Sequence, residues 1–202
     1  MSSIILASAS PRRKKLLQQI NLLFQVHPSS VDESFNPELK ANNIVQQLAL
    51  RKAKDVAAQF KDALIIGADT IVASEDEILT KPQDARDAKN MLSRLSGETH
   101  QVYTGVGLCK VDSQNNITKS ITFFERTNVT FGALKPDDID AYIASGSPMD
   151  KAGGYGIQDD FGAIFVKKIE GDFYNVVGLP LHSFYEVMRS FAPEYLLKAK
   201  AD

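Results

Sequence analysis

The sequence predicts a mixed α/β fold, in which a curved sheet of parallel and antiparallel strands is flanked by helices. Short apolar runs typical of strands alternate with amphipathic helical segments along the chain. A long hairpin over residues 100–111 and 117–131, with its turn at Asn115-Asn116, argues against a purely parallel sheet. No linker divides the 202 residues, so we expect a single domain over residues 1–202.

The helices are placed by their capping residues and by apolar positions that recur at helical spacing. Ser10-Pro11 opens the first helix, because a capping hydroxyl precedes a proline at the first helical position. Asp84 opens another helix, and Gly97 and Gly146 follow helix ends. We expect helices over residues 11–20, 43–60, 84–95, 136–144 and 181–191.

The remaining apolar runs are short and bounded by turn residues, which is typical of strands. We expect strands over residues 4–7, 24–27, 64–68, 71–73, 78–79, 100–111, 117–131, 164–169 and 174–177. The polar, proline-containing stretch over residues 29–41 is expected to be a loop, and residues 198–202 a fraying tail.

Composition excludes several classes of protein. Hydrophobic residues make up 44% and charged residues 24%, as in ordinary globular proteins, and no apolar run could span a bilayer. A net charge of −2 argues against a protein that coats long nucleic acid. The lone Cys109 lies among apolar residues and is expected to be buried. We expect no signal peptide and a reducing, cytoplasmic location.

The segment from Ser8 to Arg13 joins a strand to a helix start. Ser8, Ser10, Arg12 and Arg13 would form an anion cradle there, because the first turn of a helix exposes backbone N–H groups. An arginine in a first turn is mildly unfavourable, because the start of a helix already carries partial positive charge, and its presence there favours a functional role. Alternatively, both arginines extend into water.

Lys52 falls near the middle of the apolar stripe of the long helix, whereas Lys54 lies on the opposite face. An inward lysine must pair with a carboxylate, reach an anion in a cleft, or extend its ammonium group to the surface. The sequence leaves these alternatives open.

Acidic residues occur at two further places. Asp69, followed by Thr70, ends a buried strand, where α/β proteins place ligand groups, and it could hold Mg²⁺ or position a water. A turn aspartate that bonds its own backbone fits as well. Asp32-Glu33 lies in a loop, where acids are usually solvated.

Lys81 supplies another cation after a short strand, and residues 150–158 form a glycine-rich stretch that ends at Gln158. That stretch fits neither a P-loop nor a dinucleotide fingerprint and could be only a tight turn. No serine–histidine–aspartate arrangement is legible. The recurring arginine, lysine and acid suit phosphate and a divalent metal better than acyl transfer.

Together these segments resemble the Maf family of nucleoside triphosphate pyrophosphatases. The resemblance runs from Leu6 to about Leu181, in the order LASASPRR (6–13), DE (32–33), RKA (51–53), GADT (67–70), KP (81–82), Gly97, QVYTG (101–105), DKAGGYGIQ (150–158) and VGLP (177–180). Each string is weak alone, and the ordered set is highly specific. One mild departure is Gly153-Gly154, where many relatives have Gly-Ala.

The resemblance implies an elongated fold with two lobes around a central cleft, similar to inosine triphosphate pyrophosphatases. It also implies hydrolysis of a nucleoside triphosphate to the monophosphate and pyrophosphate, with Mg²⁺, Mn²⁺ or Co²⁺ as cofactor. Arg12-Arg13, Thr70 and Gln158 fit the dTTP/UTP branch, and the absence of tryptophan argues against the 7-methyl-GTP branch. Family members are often homodimers.

The resemblance also implies roles for individual residues. Ser8, Ser10, Arg13, Lys52 and Lys81 would lie against the triphosphate, while Glu33 and Asp69 hold the metal and Asp69 activates the attacking water. Arg12, Thr70 and Gln158 would contact the base. Two rival classes are a nucleotide-binding regulator of septum formation and a broader inosine or xanthosine triphosphate pyrophosphatase. A plain structural protein would leave the inward Lys52 without an explanation.

Overall fold

The computed structural model describes residues 3–75, 77–158 and 161–196. Within them the strands are β1 (Ser3–Leu6), β2 (Gln25–Val26), β3 (Ala63–Ser74), β4 (Glu77–Leu79), β5 (Thr99–Val111), β6 (Ile117–Phe131) and β7 (Val166–Glu170). The sheet order is β2-β1-β3-β5-β6-β7, with β4 paired to β3. β1 is parallel to β2 and β3, whereas β4 and β7 are antiparallel to their neighbours. The prediction of a mixed sheet is confirmed.

The helices are α1 (Pro11–Gln19), α2 (Ala41–Ala57), α3 (Ala85–Leu95), α4 (Pro136–Ala144), α5 (Phe173–Val177), α6 (Leu181–Phe191) and α7 (Pro193–Leu196). The predicted caps are present. Ser10 and Asp84 accept hydrogen bonds from backbone N–H groups of their first turns. Gly97 and Gly146 adopt positive φ angles just beyond their helices. In the part of the chain that is described, no helix is long and apolar enough to cross a membrane.

The predicted strand over residues 174–177 is wrong, because this segment is helix α5. Two side chains favour the helix over the β propensity of its apolar residues. The Asp172 carboxylate accepts a hydrogen bond from the Tyr174 N–H at the start of the helix. Asn175 Nδ2 donates to the Val102 carbonyl and to Thr127 Oγ1, at 3.0 and 2.9 Å. The helix is therefore held by tertiary hydrogen bonds that the local sequence does not reveal.

Other element bounds also differ from the sequence prediction; α2, for example, covers Ala41–Ala57, where residues 43–60 were expected. The strands expected over residues 64–68 and 71–73 form one strand, β3, which continues through Asp69 and Thr70. The strand expected to begin at Ile164 begins at Val166, after a 3₁₀ helix over Phe161–Phe165. The predicted fraying tail over residues 198–202 lies outside the described residues.

The chain folds into two compact units, and β3, β5 and β6 contribute residues to both. The first unit comprises the described residues of 1–69, 104–125 and 178–202. Its core includes Ile5, Val56, Ile65 and Cys109. As predicted, Cys109 is fully buried, and this burial raises the pKa of its thiol to about 11 despite the charge of Lys54. Cys109 therefore serves as a small apolar residue of the core.

The second unit comprises the described residues of 70–103 and 126–177, and an aromatic cluster lies in its core. His100 packs edge-on against Phe131 and Tyr155, and its Nε2 lies 2.7 Å from the Tyr155 hydroxyl. Burial lowers the pKa of His100 to about 4. This histidine is consequently neutral at pH 7 and is part of the core.

Helix α2 lies unusually close to the sheet of the first unit, because three sheet positions that it covers are glycine. A Cβ atom at Gly67 would lie 2.2 Å from the Ala49 carbonyl oxygen, and one at Gly105 would lie 2.3 Å from that of Val45. At Gly107 the nearest atom, the Leu50 Cα, is 2.8 Å away. The missing side chains let the helix backbone rest on the strands.

A Gly67→Ala substitution is therefore expected to reduce the free energy of unfolding by about 3 kcal/mol, because the helix backbone must move away from β3. Gly132→Ala is the matched control, since a Cβ at Gly132 meets nothing within 4 Å. Urea denaturation of both variants measures the difference. Equal midpoints would show that α2 tolerates a wider separation from the sheet.

Candidate active site

Lys52 lies on the buried face of α2, with only 8% of its surface exposed. Its Nζ is 2.6 Å from Asp69 Oδ1 on β3 and 2.7 Å from Glu33 Oε1 in the loop before α2. The inward position predicted from the helical stripe is confirmed, and the ammonium group pairs with two carboxylates instead of extending to the surface. Lys54, which lies on the opposite face of the helix, is exposed as predicted.

Asp69 is almost fully buried, and its environment acts on its carboxyl group in opposite directions. Burial raises the pKa of Asp69, the charges of Lys52 and Arg13 oppose this increase, and the charge of Glu33 adds to it. The net shift is upward, so the ionised carboxylate is a better proton acceptor than a solvated one. Asp69 is thus not a turn aspartate bonded only to its own backbone.

Arg13 is buried in the first turn of α1, where solvent exposure was one of the expected alternatives. Its Nε donates to the Gly178 carbonyl at 2.9 Å, and its Nη1 donates to Ser8 Oγ at 3.1 Å. Burial lowers the pKa of Arg13, which the charge of Asp69 opposes, and an arginine remains protonated even so. The guanidinium is thus a fixed positive charge that interacts electrostatically with the Asp69 carboxylate.

Two serine side chains fix the backbone at the start of α1. Ser8 Oγ accepts from the Ser10 N–H at 3.2 Å, and Ser10 Oγ caps the Arg13 N–H. The first turn of α1 contains no acidic residue, so the partial positive charge of the helix start adds to that of the arginine. Positive charge therefore accumulates at the start of α1.

The first unit thus brings together most of the residues that the sequence singled out. It contains the pairing of Lys52 with Glu33 and Asp69 and, at the start of α1, Ser8, Ser10 and Arg13, with Arg12 half-buried in the same first turn. Thr70 follows Asp69 directly in β3. Lys81 is exposed just after β4, and Gln158 is half-buried at the end of the glycine-rich stretch. These last three residues belong to the second unit.

The glycine-rich stretch forms a tight turn, which the sequence allowed. Gly153 and Gly154 both have positive φ angles. Lys151 is buried beside them, and its Nζ contacts the carbonyl and hydroxyl oxygens of Ser147 and the carboxylate of Asp150 within 3.1 Å. These contacts hold the turn that precedes Gln158.

Comparison with known proteins decides the family. The model of the Maf-like protein family matches residues 3–191. The chain belongs to this family. A relative from Bacillus cytotoxicus, named dTTP/UTP pyrophosphatase, is 49% identical over 191 residues, which cover 95% of this chain and 96% of that protein. A protein of the same name from Bacillus cereus is also 49% identical, covering 95% of this chain and 91% of the relative.

The fold of this Maf-like chain also occurs in a distant solved structure. A HAM1 protein from Coxiella burnetii superposes with a TM-score of 0.51 at 12% identity, covering 94% of this chain and all of that one. At this identity the similarity concerns the fold alone. The match agrees with the mixed α/β architecture predicted from the sequence.

The donor chemistry of the Maf-like site fits a divalent cation only in part. The carboxylates of Glu33 and Asp69 converge on one ammonium group, and carboxylate oxygens are ligands for Mg²⁺, Mn²⁺ and Co²⁺. Within residues 3–75, 77–158 and 161–196, no group of three or more histidine, cysteine or acidic residues is arranged to hold a metal. The remaining ligands would have to come from water and phosphate, which is usual for Mg²⁺.

Sequence reasoning missed the groups that orient the charged residues of the Maf-like site. The Gly178 carbonyl that accepts from Arg13 belongs to the VGLP string, but a backbone oxygen has no side-chain signature. Arg51 and Asp55 on α2 contact the Glu33 loop; Arg51 was noted only as part of the RKA string, without a role, and Asp55 was not noted. The sequence offered one signal for them, which is that both residues lie within one helical turn of Lys52.

Proposed function

We propose that this chain is a nucleotide pyrophosphatase that hydrolyses dTTP and UTP to the monophosphate and pyrophosphate. The observation that carries the proposal is the pairing of Lys52 with Asp69 and Glu33 beside the buried Arg13. Fixed cations suit a triphosphate, and two acids suit a divalent metal and a water. The names of the Bacillus relatives support the choice of substrate.

In the proposed reaction, water attacks between the α and β phosphates and pyrophosphate leaves. Arg13 and Ser8 are oriented by their mutual hydrogen bond before any substrate arrives, so they can stabilise developing charge without reorganisation. Lys52 and Lys81 neutralise further phosphate oxygens, a role that the family resemblance gives them. The partial positive charge at the start of α1 adds to these cations, and Ser10 caps the first turn.

Asp69 accepts the proton of the attacking water in this proposal. Its raised pKa brings it closer to the working pH than a solvated aspartate, while the charge of Lys52 opposes this increase. Glu33 and Asp69 would hold a divalent cation, Mg²⁺, Mn²⁺ or Co²⁺, which supplies a Lewis acid for the phosphates.

The panel that tests the function contains dTTP, UTP, CTP, GTP, ITP and 7-methyl-GTP, each with Mg²⁺ or Mn²⁺, with pyrophosphate release as the readout. Selective turnover of dTTP and UTP is the expected result. Turnover spread over ITP and GTP would favour the broader pyrophosphatase. Binding of dTTP without any turnover would favour the regulator of septum formation.

Arg12, Thr70 and Gln158 are proposed to contact the base, and Gln158 offers the sharpest test. A glutamine amide presents both a donor and an acceptor to the edge of a pyrimidine. Gln158→Ala is therefore expected to lower the ratio of kcat/KM for dTTP over GTP by about tenfold, the equivalent of one lost hydrogen bond to a buried base edge. Gln114→Ala, at the exposed hairpin turn, is the control. An unchanged ratio would remove Gln158 from base recognition.

The biological setting is part of the same proposal. The enzyme would clear nucleotides from the cytoplasmic pool, including modified pyrimidine nucleotides, and would act as a homodimer. The single buried thiol fits a reducing compartment. Light scattering of the purified protein measures the oligomeric state directly.

A further inference from the structure

The loop that carries Glu33 is held on both sides of that residue by one side chain of α2. Arg51 Nη1 donates to the carbonyl oxygens of Asp32 and Ser34, each at 2.9 Å. These carbonyls belong to the residues directly before and after Glu33. A single planar, permanently charged group therefore bridges the backbone around the carboxylate.

A second attachment lies one helical turn further along α2. Asp55 Oδ2 accepts hydrogen bonds from the Ser29 hydroxyl and the Ser30 N–H, at 2.8 and 3.1 Å. Arg51 and Asp55 are four residues apart and so lie on the same side of the helix. Both ends of the loop segment 29–34 are thus attached to the helix that also supplies Lys52.

The loop is further shaped by a local turn. The Asp32 carboxylate accepts hydrogen bonds from the hydroxyl and the backbone N–H of Ser34. These two bonds close a local turn around Glu33. Because the turn brings the carbonyls of residues 32 and 34 to one side, a single Nη1 can reach both.

We propose that Arg51 is a positioning residue that fixes Glu33 for the reaction. It sets the loop backbone so that Glu33 Oε1 lies 2.7 Å from Lys52 Nζ, while the Glu33 side chain itself is half-exposed. The kinetic part of this inference rests on the proposed function. Arg51 itself is exposed, so its effect is transmitted through the two carbonyls.

Arg51→Met is expected to lower kcat/KM for dTTP by about 10- to 100-fold, the range typical when a group that orients a site carboxylate is removed. Arg51→Lys keeps the charge, but its nitrogen is on a shorter and more flexible chain than the Nη1 that reaches both carbonyls, so its value should fall between that of Arg51→Met and the unmodified protein. Arg189→Met is the matched control, because Arg189 is an exposed helical arginine of the same unit that pairs only locally with Glu186. It should stay within about twofold.

A double-mutant cycle with Glu33→Gln separates positioning from direct contact. If Arg51 acts through Glu33, adding Arg51→Met to Glu33→Gln should change single-turnover rates less than about twofold. An equal loss in both backgrounds, or unchanged activity of Arg51→Met, would overturn the proposal. Unfolding midpoints are measured for every variant, and Arg51→Lys carries the comparison if Arg51→Met does not fold.

A binding measurement keeps this inference distinct from the proposed function. Mn²⁺ alone is titrated and followed by electron paramagnetic resonance, and Arg51→Met should bind it about tenfold more weakly than Arg189→Met. Equal affinities contradict the role of Arg51. If the unmodified protein releases no pyrophosphate, the proposed function fails, while weaker Mn²⁺ binding by Arg51→Met would still support its control of Glu33.

Discussion

Asp69→Asn is expected to lower the turnover of dTTP by about 10³-fold while nucleotide binding persists. Asparagine has nearly the same shape and keeps an acceptor for Lys52 Nζ, which lies 2.6 Å from Asp69 Oδ1. It cannot take up the proton of the attacking water, and loss of a general base typically costs 10²- to 10⁴-fold. Pyrophosphate release measures the rate, and calorimetry with dTTP measures the binding.

Asp140→Asn is the control for this prediction. Asp140 also pairs with a lysine, Lys89, at 2.6 Å, but both side chains are about half-exposed. Its replacement should leave the rate within about twofold. Retained turnover in Asp69→Asn would exclude Asp69 as the base, and loss of dTTP binding in that variant would give the carboxylate a role in substrate affinity instead.

Lys52→Met is expected to reduce the free energy of unfolding by about 3 kcal/mol near pH 7, because it leaves the buried Asp69 carboxylate without its closest positive charge. Adding Asp69→Asn to Lys52→Met should restore much of the loss, since no buried charge then remains. Urea denaturation in the presence of a chelator measures both variants. Lys89→Met, which breaks an exposed pair, should change the stability by less than about 1 kcal/mol.

The pH dependence of the Lys52→Met effect follows from the direction of the Asp69 shift. Burial already raises the pKa of Asp69, and loss of the Lys52 charge raises it further above the unfolded value of about 3.9. The folded state then binds the proton more tightly than the unfolded state, so stability increases as the pH falls towards that value. The destabilisation should therefore be largest near pH 7 and shrink on acidification. A loss that is constant from pH 7 to pH 4 would contradict the buried charge as its cause.

Much of the secondary structure follows from local signals. Ser10, Asp84, Gly97 and Gly146 mark helix ends because each satisfies or permits the backbone geometry of a terminus. The strand β6 and the helices α4 and α6 have the expected bounds. Residues 173–177 were predicted wrongly, since Asn175 bonds to distant strands and overrides a β-like composition.

Local signals in the sequence likewise predicted only part of the candidate site. The inward direction of Lys52 follows from helical periodicity, and the charge imbalance in the first turn of α1 points to an anion. The roles of Asp69 and Glu33 needed the family resemblance, because one acid in a strand and one in a loop look locally like ordinary solvated or turn residues.

The amino-acid sequence by itself determined the class of fold, the helix caps, the family and the charged residues that belong together. Only the tertiary structure decided how those residues are held. Gly67 lets α2 approach β3, and the Gly178 carbonyl orients Arg13. Arg51 donates hydrogen bonds to the backbone on both sides of Glu33. These contacts join residues far apart in the chain, and several of them use backbone atoms, which are chemically the same in every residue and so leave no mark in a sequence.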